Sequence, residues 1–157
     1  MRKILFAVIF IAISCASPKA EISETEVKET IEGFFAALDV NNTDPNLMSR
    51  YVTDDFIIYE AGQKMSKQAF SDFVSWGPSM QETTWELSDY RISIEGASAH
   101  ASLLNNGTFT SQRDSLRLAR KLLWLESAYL VKVNDSLKIK FYFSDNISAS
   151  TDTLAVN

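Results

Sequence analysis

The apolar residues of this chain change their spacing once, and that change decides the class of fold. From Glu24 the pattern is Val27, Ile31, Phe34, Phe35 and Leu38, the i, i+4, i+7, i+8, i+11 spacing that lays one apolar stripe along a helix. Beyond Gly77-Pro78 that spacing does not return, and the chain reads as strands at about Thr83 to Glu95, Ala97 to Thr110, Leu116 to Asn134 and Leu137 to Ile147. In the last of these, Leu137, Ile139, Phe141 and Phe143 alternate with Lys138, Lys140, Tyr142 and Ser144, which predicts one buried face and one wetter face. Between Thr83 and Glu95 the parity breaks: Trp85 and Leu87 point one way, and Tyr90, Ile92 and Ile94 fall on the other. A bulge near Ser88 to Asp89 would reconcile them and bend the sheet. Helices first and sheet afterwards define an α+β domain.

The connecting segment adds two shorter helices and one strand. Asn41-Asn42-Thr43 breaks the first helix, and Asp44-Pro45 supplies an N-cap and a first-turn proline for a helix through about Tyr51. Thr53-Asp54-Asp55 reads as a turn, Phe56 to Glu60 as a short strand, and Ala61-Gly62-Gln63 as another turn. Ser66 can cap a third helix carrying Ala69, Phe70, Phe73 and Val74, which Gly77-Pro78 ends. The domain so defined covers residues 24–147, and the tail 148–157, with little to bury, is expected to be mobile. A chain of 157 residues has room for one such domain and a real core.

The first residues have a different character. Met1-Arg2-Lys3 is a basic start, and Ile4 to Ile13 is an uncharged apolar run too short to span a bilayer but suited to a signal-peptide core. Ala12-Ile13-Ser14-Cys15 resembles a bacterial lipobox, in which the cysteine receives lipid and becomes the mature N-terminus. Residues 1–14 are then a lipoprotein signal peptide, Cys15 the lipidation site, and residues 15–23 a tether. The expected location is the bacterial cell envelope, with the protein anchored to a membrane through its lipid.

Charge and cysteine content narrow the partners. Without Arg2 and Lys3, 13 of the 15 basic residues remain against 20 acidic ones, a balance that disfavours nucleic acid. Arg113, Arg117, Arg120 and Lys121 read as solvated charges on a loop and strand edge. With Cys15 the single cysteine and His100 the single histidine, no disulfide within the chain and no metal or cofactor site is expected.

The hairpin that carries Trp124-Leu125-Glu126-Ser127-Ala128-Tyr129-Leu130-Val131-Lys132 into Leu137-Lys138-Ile139-Lys140-Phe141, behind a helical first half, resembles the NTF2-like superfamily. It is similar in particular to the SnoaL-like proteins called nuclear transport factor 2 family proteins. That resemblance implies a cone: three N-terminal helices packed on a strongly curved antiparallel sheet, an apolar pocket in the mouth, and often a sheet-to-sheet homodimer. In similar sequences a histidine sits near the end of the last strand, where this chain has Phe143. In the ketosteroid isomerase branch an aspartate on an early strand acts as base, near the place Tyr59-Glu60 takes here, and the resemblance therefore nominates Glu60.

Glu126 stands out on its own account, because it lies between Trp124-Leu125 and Ala128-Leu130 in an otherwise apolar strand. A buried carboxylate must be paired or protonated, so Glu126 is expected to meet His100 or an arginine, or else to point to water. His100 shares its parity with Ser98 and Ser102, the wetter set. Tyr59, Trp76, Trp85, Trp124 and Tyr129, with His100, are the residues nominated to line a cavity. No nucleophile, zinc or phosphate-loop motif is present. The leading expectation is therefore a small apolar or amphipathic ligand bound without chemistry. A proton-transfer enzyme (isomerase, cyclase or dehydratase) using Glu60 or Glu126, and a protein-interaction module, are the alternatives.

Overall fold

The computed structural model describes residues 21–155. The expected signal peptide, Cys15 and most of the tether lie outside them. Three helices and six strands follow in the order α1 (Glu24–Ala37), α2 (Leu47–Tyr51), β1 (Val52–Glu60), β2 (Gln63–Ser66), α3 (Lys67–Phe73), β3 (Met80–Glu95), β4 (Ser98–Arg113), β5 (Leu116–Val133) and β6 (Ser136–Leu154). The strands form one curved, unclosed sheet in the order β2-β1-β6-β5-β4-β3. Every pairing is antiparallel except that of β1 with β6.

α1 forms where the apolar stripe predicts it. Ser23 accepts a hydrogen bond from the Glu26 amide at 3.1 Å and caps the first turn. Val27, Ile31, Phe34 and Phe35 are buried against the sheet. Ile22, just ahead of the helix, also packs in the core. Lys132 on β5 closes a half-buried ion pair of 2.7 Å with Glu26, tying the helix start to the sheet. α2 is a single five-residue helical segment that opens at Leu47, with Asn46 as its N-cap; Asp44 instead accepts the Asn46 amide at 2.9 Å in the turn before it. Ser66 caps α3 through the Ala69 amide, as its position predicts.

Bulges give the sheet its bend. In β3 the register slips between Ser88 and Arg91, with Asp89 at φ 50°, a left-handed conformation that aspartate tolerates. The slip brings Trp85, Leu87, Tyr90 and Ile92 onto the same side, packed against the core, as the broken parity predicts. A second slip, in β6 at Lys140, overturns the expected alternation: Leu130 faces Ile139 while Tyr129 faces Phe141. Leu137 and Ile139 point inward before it, and Tyr142 and Ser144 point inward after it. Phe141 and Phe143 therefore turn toward the outer face, contrary to expectation.

Two further expectations change. The expected turn at Thr53-Asp54-Asp55 lies inside β1, at an irregular stretch of its pairing with β6. Residues 148–154 of the expected mobile tail are strand: β6 continues to Leu154, paired with β5 as far as Arg117. Its side chains from Ser148 to Thr153 are exposed, so backbone hydrogen bonding to the long β5, more than side-chain burial, places it there.

Candidate functional site

Sheet register decides which polar groups meet on the concave side. Glu126 on β5 pairs with Leu103 on β4 and with Ser144 on β6. Glu60 follows Tyr59, whose partner on β6 is Phe143, so β1 brings it alongside Ser144. The two carboxylates thus flank Ser144 across three neighbouring strands, with backbones roughly 10 Å apart at ordinary strand spacing. The bulge at Lys140 rotates Tyr142 into the same group. Asn105, in phase with Ala101 and Leu103 on β4, joins it from the other side.

Glu126 is only 5 % exposed. Tyr142 donates its hydroxyl to Glu126 Oε2 at 2.6 Å. Asn105 Nδ2 donates to Oε1 at 3.2 Å, and the Ser144 hydroxyl reaches the same oxygen at 3.5 Å. Burial pushes the Glu126 carboxyl up to about 7; the Tyr142 and Asn105 hydrogen bonds hold it back and the nearby Glu60 charge adds to the rise. Glu60 is also raised, by burial first; Ser144 and Trp124 oppose the rise and Asp145 reinforces it. Tyr142 is driven well above the ordinary phenol value by its own burial and by the Glu126 charge. Two acids and a phenol therefore sit close together, and one of the acids titrates near neutrality.

These groups open onto a cavity of about 610 Å³ between the helices and the concave face. Its walls are aromatic: Trp85 packs 5.1 Å from Phe109 and 6.1 Å from Trp124, and Trp76 lies 5.5 Å from Phe109. Gly107 makes room for that wall, since a Cβ there would come within 2.7 Å of the Trp124 ring. Trp76 is held by its ring N–H, which donates to the Leu38 carbonyl at 2.8 Å. A second groove, beside the β1–β2 hairpin, shares Glu60, Ala61, Ser144 and Asn146 with the cavity.

Of the residues nominated from sequence, Glu60, Glu126, Trp76, Trp85 and Trp124 meet at this cavity. Tyr59, His100 and Tyr129 do not. Tyr59 borders the hairpin groove, His100 is exposed and bonded to Ser127 Oγ at 2.8 Å, and Tyr129 is 40 % exposed on the convex face. Glu126 meets neither His100 nor an arginine; its partners are Tyr142, Asn105 and Ser144. Sequence reasoning missed Tyr142 and Asn105. Asn105 carried a signal, because it falls in the apolar phase of β4, where a polar residue needs a partner. Tyr142 carried none, since the bulge reverses its phase.

No family model and no curated protein matches the sequence. Solved structures do match. A protein named for scytalone dehydratase from Novosphingobium aromaticivorans is 14% identical and superposes with a TM-score of 0.64, covering 85% of this chain and 88% of its own. A type 2 hexachlorocyclohexane dehydrochlorinase, LinA, is 9% identical with a TM-score of 0.66, covering 83% and 88%. The CaMKII hub of S. rosetta is 17% identical with a TM-score of 0.64, covering 81% and 99%. The fold is NTF2-like. Among these neighbours are proteins named as enzymes and one named as a hub, so the shared fold by itself assigns no activity.

Proposed function

We propose that this chain is a bacterial envelope lipoprotein whose NTF2-like cone binds a small, largely apolar molecule with at least one polar group. The observation that carries the reading is the 610 Å³ aromatic cavity with two carboxylates in its wall. Rings supply apolar contact, and Glu126, Tyr142 and Glu60 supply orientation. The test is native mass spectrometry of the full chain in mild detergent after incubation with an envelope lipid and metabolite extract. A defined added mass, lost when Trp124→Ala removes a ring from the aromatic wall, is expected. A clean unliganded species would count against the reading.

Anchoring through Cys15 is part of the same proposal. Cys15→Ala should move the protein from the detergent phase to the aqueous phase in a phase-separation assay, and continued detergent partitioning would remove the anchor. A homodimer through the convex face is also proposed: Leu125, Tyr129, Tyr59 and Phe143 are large apolar side chains left 40–48 % exposed on strands β5, β1 and β6.

A second reading, proton transfer, is favoured by one observation: the Glu126 carboxyl is pushed up to about 7 inside the cavity. A ligand recovered from the cavity and incubated with the protein in D₂O should then exchange a carbon-bound proton, and Glu126→Gln should abolish the exchange. Equal exchange in both proteins would leave binding alone.

A further inference from the structure

The site is short of one thing, a positive charge. No ion pair among the described residues includes Glu60 or Glu126. The groups that hold Glu126 are all neutral: Tyr142, Asn105 and Ser144. Arg120 is the single cationic residue lining the cavity, and it lies six residues from Glu126 along β5, roughly 20 Å in an extended strand. Beside Glu126, the Oδ1 of the fully buried Asn105 also has no partner. The buried Trp85 Nε1 and Tyr90 hydroxyl are unpartnered as well, but both are neutral and neither balances a carboxylate. A carboxylate taken out of water must be paired or give up its charge, and this pair has no cationic partner among the described residues with which to stay ionised.

The walls have the complementary property. Aromatic faces attract a desolvated cation through their quadrupoles, and Trp76, Trp85, Phe109 and Trp124 form one contiguous set of rings in the cavity that Glu60 and Glu126 also line. From this arrangement, and on the ligand-binding reading above, we infer that the ligand class of the cavity is an apolar-bodied monocation, an amine or ammonium whose charged head is held by Glu126 and Glu60 among the rings. An anionic head beside Glu126 and Glu60 would meet two carboxylates and is disfavoured there on the same ground.

Three matched probes separate the inference from the reading it rests on: 4-phenylbutylamine, 4-phenylbutan-1-ol and 4-phenylbutyrate, which differ at the head group alone. Binding to the full chain in mild detergent is read from tryptophan fluorescence, since Trp76, Trp85 and Trp124 all line the cavity. At pH 8 the amine should bind roughly tenfold or more tighter than the alcohol, with the carboxylate weakest. The preference should grow between pH 6 and pH 8. The titratable groups that face Glu126 are Glu60 on β1, Tyr142 on β6 and Tyr90 on β3, and the phenols, both raised, stay neutral there. Glu126→Gln should bring amine and alcohol within about twofold of each other. If that variant fails to fold, Glu60→Gln should narrow the same ratio.

An alcohol that binds as tightly as the amine, or a carboxylate that binds best, would overturn the cation inference while leaving the cavity as a ligand site. Failure of all three probes to bind would overturn both.

Discussion

The two ends of the same concave sheet face are built differently. At one end Ala99 and Ala101 on β4, Ala128 and Leu130 on β5 and Ile139 on β6 are covered by Val27 and Ile31 of α1, all 2 % exposed or less. Two residues further along β5 the inward positions become Glu126 and Trp124, facing Asn105, Tyr142 and an open cavity. That end is closed with buried hydrocarbon. At the other end large rings prop against each other, and the space between them cannot collapse without forcing rings off their rotamers. The chain therefore keeps its stability in one half of the cone and its chemistry in the other, and substitutions should sort accordingly.

The largest effect is expected at the closed end. Leu130→Ala should cost about 2–5 kcal/mol in a urea titration, whereas Phe73→Ala, at the half-exposed cavity mouth, should cost under about 1 kcal/mol. Equal costs would erase the division.

Next in size is a pH effect confined to the open end. The folded chain holds the Glu126 proton more tightly than the unfolded chain does, because its carboxyl is raised from 4.5 to about 7. Stability from this group is therefore fully present below the ordinary value and is lost as pH rises through about 7. Glu126→Gln should gain on the parent chain by up to roughly 3 kcal/mol between pH 5 and pH 8. Parallel stability curves would show that the carboxyl is not raised.

Tyr142→Phe removes the 2.6 Å hydrogen bond that favours the ionised form. The Glu126 titration, followed by tryptophan fluorescence, should move further upward, with a stability cost of about 1–3 kcal/mol at pH 8 and less at pH 5. The smallest effect belongs to the hairpin that borders both the cavity and the groove, where Ala61 sits at φ 51° beside Gly62 at φ 74°. Ala61→Gly should relieve left-handed strain and stabilise by up to about 1 kcal/mol without moving the Glu126 titration. A shift in that titration would mean that the turn also sets the site.

Much of this architecture is written in local patterns. The spacing of Val27, Ile31, Phe34 and Phe35 is enough to place α1, because a helix repeats every 3.6 residues whatever surrounds it. The broken parity around Ser88 is enough to place a bulge, because a strand cannot keep both sets inward without one. The apolar neighbours of Glu126 are enough to single it out, while the choice between burial and water is made by the folded sheet. What the sequence does not contain is the partner list. Lys140 reads as one more outward lysine, yet as the bulged residue it reverses the positions of β6 from Phe141 to Asn146, removing Phe143 from the interior and admitting Tyr142. The same dependence holds for the pairing of Ser148 to Leu154, which rests on the length of β5 and not on any apolar pattern of its own. Periodicity is a property of one segment and can be read from it. Register belongs to two strands at once, and only the folded sheet decides that Glu126, Tyr142 and Glu60 face one cavity, with Asn105 bonded to Glu126 behind it.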